Sequence, residues 1–355
     1  MEFLLPEWAP NIHPMLVHFP IALLLIAAVG SLASFFVPDK WWDEQKNTVL
    51  YVLGALSAIV VYYTGQAAAD SVFLEAGAQS VLSEHAGWAE YTLWFFVLYA
   101  ILRGVFHWFG LMKKISFKIV AFITVLPGLF MLYETAEYGG KMVFGYGVGT
   151  GQLVQQDTES APAADSLKGA SSSFIQKENG WNWDITERSV GDLIANFRWI
   201  EGSVQGLNPQ IVSGEESFLR LNASGETSFF VTNSDYQNVQ IDYYLNLDDF
   251  SGEIELVHHV QDARNYDFVS LNSDGTIRQG RMQNGETTIF EEGTFDPEGR
   301  LFVRVVADGT HFRGYVNREM KVHGHGDAPQ SGAAGMKLNG NGAVLISQIE
   351  LTQLN

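Results

Sequence analysis

Two hydrophobic rhythms divide the chain. Up to about residue 150, long apolar runs are broken only by short polar stretches; beyond about residue 174, apolar and polar positions alternate. A helix needs about 20 mostly apolar residues to cross roughly 30 Å of hydrocarbon. Four segments meet that need, at 14–37, 48–66, 86–109 and 119–133, the last being the shortest. The alternating part predicts strands at 228–232, 239–245, 253–257, 266–271, 301–306 and 343–351. Turn signals separate them: Asn-Ser-Asp-Gly at 272–275, Gln-Asn-Gly at 283–285, Asp-Pro-Glu-Gly at 296–299, Ala-Asp-Gly at 307–309 and Asn-Gly-Asn-Gly at 339–342. Many short strands at this spacing predict an antiparallel β-sandwich.

Between the two regimes, the stretch from Tyr138 is dense in glycine with Met142, Val143, Phe144 and Tyr146 interleaved, and reads as an ordered exit loop. Residues 155–173, rich in Ala, Ser, Asp and Gly, have the composition of a tether. The expected organisation is a four-helix transmembrane domain at 1–150, a linker at 151–173 and a β-sandwich domain at 174–355.

Charge adds orientation. Lys40 and Lys46 lie between the first two spans and Lys113, Lys114 and Lys118 between the last two, whereas the N-terminus and residues 67–85 carry no Lys or Arg. The positive-inside rule then places both basic loops in the cytoplasm, and the N-terminus and sandwich on the outer side. No basic region precedes Met15 and no small-residue cleavage site follows, so the first span is expected to be retained. Of the net charge of −19, most belongs to residues 151–355, which hold 14 basic against 29 acidic side chains. Such a surface repels phosphate backbones and argues against nucleic acid. The absence of cysteine removes disulfides, thiolate metal sites, iron–sulfur clusters and covalently attached haem.

Histidines mark the outer ends of the spans. His18 lies about one turn into the first span and His85 at the start of the third, within roughly 6 Å of each other in depth. An ionisable residue just inside hydrocarbon usually has a partner, a ligand or a functional duty. In an up-down-up-down bundle, spans one and three face each other across the core, so His18 and His85 are candidate axial ligands of a non-covalent b-type haem. Tyr62, Tyr63, Thr64, Gln66, Glu134, Glu137 and Tyr138 reach the same level, and Tyr63 and Glu134 are candidates to support imidazole or propionate. His13 is a further candidate, but about 140° of helix separates it from His18, so both reach one ligand only if the helix start unwinds. The plainer alternative is helix-start chemistry, with His13 capping Pro14; a non-haem metal site or a proton relay are others.

The second domain offers weaker signals. Glu253 and Glu255 share a strand face near Asp242, Asp248 and Asp249, and carboxylates about 5–9 Å apart would suit glycoside hydrolysis. A solvated strand face explains them as well, and no catalytic residue is assigned. His323, His325 and Asp327 have the spacing of a loop metal site, although a flexible glycine-rich loop reads as well. His258 and His259 point to opposite faces unless a bulge intervenes. Trp181, Trp183 and Trp199 could stack on sugar rings, form core or dock another subunit.

The sequence HPMLVHFPIALLL, followed by SEHAGWAEYTLWFFVLYAILR and GGKMVFGYGVG, resembles a bacterial family of four-span membrane proteins of unknown function over about residues 10–150. That resemblance implies histidines at the positions of His13, His18 and His85, and, since some members are fused to c-type cytochrome modules, redox work. Members often carry a His before the Gly-Gly pair, where this chain has Glu134-Thr-Ala-Glu-Tyr. From about residue 173, Asn-Tyr-Asp-Phe-Val-Ser-Leu at 265–271, Arg-Met-Gln-Asn-Gly at 281–285 and Phe-Arg-Gly-Tyr-Val-Asn-Arg-Glu at 312–319 resemble concanavalin-like and laminin G-like sandwiches. The expected fold class is thus a membrane all-α four-helix bundle plus a soluble all-β concanavalin-like sandwich, or jelly roll. The expected function is a haem b electron-transfer subunit of the bacterial inner membrane, its periplasmic sandwich docking a protein partner such as a cytochrome. The alternative is a non-redox membrane-anchored scaffold or glycan-binding protein within a larger complex.

Overall fold

The structure, a computed structural model, describes residues 11–149, 173–214 and 216–354. The chain divides into two compact units, residues 1–156 and 157–355. The expected linker at 151–173 lies outside the described residues, save Ser173.

Four helices of the first unit are long and apolar enough to cross a membrane. The first span has two pieces, α1 (His13–Leu16) and α2 (His18–Ala33). Pro20 has no N–H to return to Leu16, which accounts for the break at Val17. Next come α3 (Glu44–Asp70), capped by the Asp43 carboxylate accepting from Lys46 N at 3.0 Å, α4 (Ala76–Trp108) and α5 (Ile115–Gly140). Glycines let the helices approach closely: a Cβ on Gly54 would meet Leu24 Cδ2 at 2.6 Å, and one on Gly128 would meet Phe95 Cε1 at 2.2 Å. Leu24, Ala27, Tyr51, Phe96, Tyr99 and Val125 form the bundle core.

Two expectations need correction here. The fourth helix is far longer than 119–133, because Glu134 and Glu137 end the hydropathy window without ending the helix. The glycine-rich stretch is not an exit loop at its start: α5 runs to Gly140 and continues as a π-helical turn over Lys141–Gly145.

Among its described residues, the second unit is all-β but for two short helices. Its strands are β1 (Phe174–Lys177), β2 (Gly180–Asp184), β3 (Phe197–Glu201), β4 (Gln210–Ser213), β5 (Ser217–Ser224), β6 (Ser228–Tyr236), β7 (Val239–Asn246) and β8 (Phe250–Asp262). They continue with β9 (Asn265–Asn272), β10 (Thr276–Gln283), β11 (Glu286–Thr294), β12 (Arg300–Asp308), β13 (His311–Val316), β14 (Glu319–His325) and β15 (Gly332–Gln353); α6 (Ser189–Asn196) and α7 (Val204–Leu207) flank β3. One antiparallel path runs β11-β10-β9-β8-β15-β7-β12-β13-β14.

The 22-residue β15 joins the two layers. Its first part pairs with β6 and β8, its second with β5, β2 and β7. The Asn-Gly-Asn-Gly stretch at 339–342, expected as a turn, is the bend where this strand changes sheets. Gly342 has φ +102°, and a Cβ there would lie 2.0 Å from Asp249 O. Facing layers bury one core that includes Trp183, Leu221, Phe230, Tyr243, Leu256, Val269, Val305 and Met336. The Gln-Asn-Gly signal is a tight hairpin turn with Asn284 at φ 53° and Gly285 at φ 84°.

Candidate functional site

At the end of the bundle opposite the basic loops, two imidazoles are held alike. His13 Nδ1 lies 3.1 Å from Val61 O and 3.3 Å from Thr64 Oγ1 on α3; His85 Nδ1 lies 2.9 Å from Thr135 O on α5. A carbonyl can only accept, so each Nδ1 carries the proton and donates it. Each Nε2 then keeps its lone pair, and among the described residues neither makes a hydrogen bond. Both rings thus lie at one end of the bundle, His13 against α3 and His85 against α5. A glycine flanks each: a Cβ on Gly65 would sit 2.9 Å from His13 Cε1, and one on Gly139 would sit 3.3 Å from His85 Cε1.

His18 is placed differently from expectation. It is exposed on the outward face of α2, because the helix rotates it away from the side on which His13 packs. The residue sharing a site with His85 is therefore His13. Tyr63, 66% exposed, faces outward against Tyr62. Glu134 is half-buried, one residue before the carbonyl that holds His85.

A second polar cluster, not anticipated from the sequence, lies at the end of the bundle that carries the basic loops. Arg103 Nη2 of α4 pairs with Glu44 Oε2 of α3 at 2.6 Å, with Thr48 Oγ1 at 3.3 Å, and the guanidinium lies 5.0 Å from the Tyr51 ring centroid. Glu44 also accepts from Ser34 Oγ and Asn47 Nδ2. Arg103 is 1% and Glu44 7% exposed. The available signal was an arginine and a glutamate at the ends of otherwise apolar helices.

In the sandwich, the tryptophans are core rather than platform. Trp181 and Trp183 are buried against Phe174 and Phe197, and Trp199 packs on Phe230 at 5.2 Å. The acidic residues considered for hydrolysis are not gathered into a pair. Asp242 on β7 is locked by Arg304 through two bonds of 2.7 Å, while Glu255 on β8 accepts from Tyr266 Oη at 2.8 Å and pairs with Lys337 at 3.1 Å.

One sheet face carries a different chemistry. Strand registers place Asp184, Gln348, Tyr244 and Phe302 in one row across β2, β15, β7 and β12, and Asn182, Glu350, Asp242 and Arg304 in the next. Tyr244 and Phe302 are half-exposed, with ring centroids 5.2 Å apart, and Arg300 lies 5.7 Å from the Tyr244 ring. Gln348 Nε2 donates to Asn182 Oδ1 at 2.9 Å, Asn182 Nδ2 donates to Asp184 Oδ2 at 2.7 Å, and Arg300 grips Glu216 at 2.8 and 2.9 Å.

The histidines of the sandwich form two groups. His258 and His259 share a bulge in β8, with His259 at φ 53°, which brings both rings to one side: Nδ1 meets Nδ1 at 2.7 Å. His259 Nε2 is 2.6 Å from Gln237 O and so donates; His259 Nδ1 then accepts from His258 Nδ1. Burial holds both pKa values below the ordinary histidine range. Asp267, beside them, is neutralised by Arg281 at 2.5 and 2.9 Å.

The second group replaces the expected loop site. His323 and His325 lie on strand β14, not on a loop, and project to one face with His311 of β13. The exposed Asp327 carboxylate is not part of this set. Burial and the nearby Arg313, His325 and His323 lower the His311 pKa to about 4.

Residues 9–152 match the family of predicted membrane proteins DUF2231. No curated protein matches the chain. Among solved structures, a carbohydrate-binding module, CBM66 from Bacillus subtilis, aligns at 13% identity over 44% of this chain and 96% of that one, with a TM-score of 0.37. A protein of unknown function with a galectin-like fold from Bacillus subtilis aligns at 10% identity over 51% and 98%, with a TM-score of 0.38. A β-glucanase from Bacillus licheniformis aligns at 11% identity over 44% and 92%, with a TM-score of 0.34.

Proposed function

We propose that this chain is a membrane-anchored recognition protein, in which the four-span bundle holds a β-sandwich that binds a polyhydroxylated ligand of the glycan class. The observation that carries the reading is the sheet face around Tyr244 and Phe302. Sugar rings present C–H groups on one side and hydroxyl groups at their edges. A half-exposed aromatic pair meets the first, and planar amides, carboxylates and guanidinium meet the second. The amides of Asn182 and Gln348 are already oriented by each other and by Asp184, so little side-chain freedom is lost on binding. A row of four strands spans about 14 Å, enough for a short run of sugar rings.

The test is binding of the full-length protein in lipid nanodiscs to immobilised polysaccharides, peptidoglycan included. Wild type should be retained, and Tyr244→Ala should weaken binding about tenfold, or ~1.4 kcal/mol. Folded wild-type protein that binds none of the panel, or binds equally well as Tyr244→Ala, would reject the reading.

A second reading rests on the paired His13 and His85. Two neutral imidazoles with Nδ1 fixed by carbonyls and Nε2 lone pairs left over fit a bis-imidazole centre, and each ring packs closely on a glycine, Gly65 or Gly139, whose missing side chain lets it seat there. A b-type haem, when bound, would supply one-electron transfer. Here His13 and His85 would hold it, Val61 and Thr135 fixing their tautomers. The oxidised and reduced absorption spectra of protein purified in mild detergent decide it: a Soret band retained in His18→Ala but lost in His13→Ala and His85→Ala is expected, and colourless folded protein would refute it.

A further inference from the structure

We propose that His311, His323 and His325 form a site for a divalent transition-metal ion, with Zn²⁺ the ion that the donor set fits. Each offers one ring nitrogen, and the three nitrogens lie within 4.8 Å of one another. Zinc–nitrogen bonds of about 2.0–2.1 Å in tetrahedral geometry separate ligand nitrogens by roughly 3.4 Å. Small rotamer changes close that gap.

The fold builds this set on a single tight hairpin. The β13–β14 hairpin pairs His311 with His325 and Arg313 with His323, and the two-residue period puts His323 and His325 on one face. Gly324 between them faces the other way, where a Cβ would strike Phe290 Cβ at 2.7 Å, so the strand cannot easily turn over. The rings sit with centroids 4.5 Å apart for His323 and His325, and 4.9 Å for His311 and His325. His311 Nδ1 is buried and, among the described residues, takes no hydrogen bond. A buried polar atom in that state costs about 1–3 kcal/mol, which a ligand bond would relieve. His325 is exposed, so the site opens to solvent and leaves a fourth position for water or a ligand.

Three imidazoles with no carboxylate and no thiolate favour zinc, copper or nickel over calcium or magnesium. The Glu291 carboxylate, which accepts the His323 backbone N–H, places negative charge beside the set and offsets the Arg313 guanidinium. The assignment is independent of the glycan reading and of the His13–His85 pair.

Equilibrium dialysis of the full-length protein in nanodiscs against Zn²⁺ tests it, in a His13→Ala/His85→Ala background that removes the membrane histidine pair. One ion per chain is expected. His325→Ala, at an exposed position where folding is least affected, should weaken binding about 10- to 100-fold, and His323→Ala/His325→Ala should abolish it. With Cu²⁺ as a second probe, electron paramagnetic resonance should show nitrogen couplings from imidazoles that disappear in the double variant. Two results would overturn the proposal: no Zn²⁺ retained by folded protein, or Zn²⁺ retained equally by the double variant.

Discussion

His258 and His259 show what one bulge does to two side chains. The left-handed conformation of His259 turns its ring onto the same side as that of His258, and the Gln237 carbonyl sets the tautomers of both. His258 Nε2 is left as a buried acceptor without a partner among the described residues. The folded pair resists protonation because burial lowers both pKa values. An unfolded chain takes up those protons near pH 6.5, so stability is complete above that pH and declines below it. Each group contributes at most about 1.4 kcal/mol per pH unit. Thermal unfolding of the β-sheet signal should therefore drop between pH 7 and pH 5, where carboxylates are still ionised, and the drop should be shallower in His258→Gln. A melting temperature that does not move across that window would show that the pair titrates as in a free chain.

Elements carry two further expectations. In the bundle, Glu44 and Arg103 tie α3 to α4 with both charges out of water. Removing one leaves the other buried and uncompensated, so Arg103→Leu should cost about 3–5 kcal/mol, read as earlier aggregation on heating in detergent. The double change Glu44→Gln/Arg103→Leu should recover part of that loss, and equal stability of Arg103→Leu and wild type would disprove the coupling. In the sandwich, Gly342 allows β15 to change sheets; Gly342→Ala places a Cβ against the Asp249 carbonyl in a strained backbone region and should prevent accumulation of folded protein. The four spans and six strands were legible because hydropathy and alternation are local. The bend at 339–342 was not, since Asn-Gly-Asn-Gly reads identically whether a chain reverses or only kinks. Burial of Trp181 and Trp183 depends on which strands pair, which no local pattern carries, and the arrival of His311 beside His323 and His325 depends on the register of the β13–β14 hairpin. The swap of His18 for His13 has the same origin: about 140° of helix separates the two, and only packing against α3 decides which imidazole faces inward.

At the scale of the whole molecule, four spans are an even number, so the residues before α1 and those after the π-helical turn emerge on the same side of a membrane. The loops bearing Lys40, Lys46, Lys113, Lys114 and Lys118 emerge on the other. The positive-inside rule predicts a cytoplasmic loop side and an external sandwich side, which a glycan-binding face requires if its ligand belongs to the cell envelope. The chain has no cysteine, so single cysteines report without background. Lys114→Cys and Glu226→Cys, the latter in an exposed turn of the sandwich, should behave oppositely in intact cells whose outer barrier has been permeabilised: a membrane-impermeant maleimide should label Glu226→Cys at once and Lys114→Cys only after lysis. The reverse pattern would put the sandwich in the cytoplasm and remove envelope glycans as its ligands. Labelling of both before lysis would show that the helices do not span.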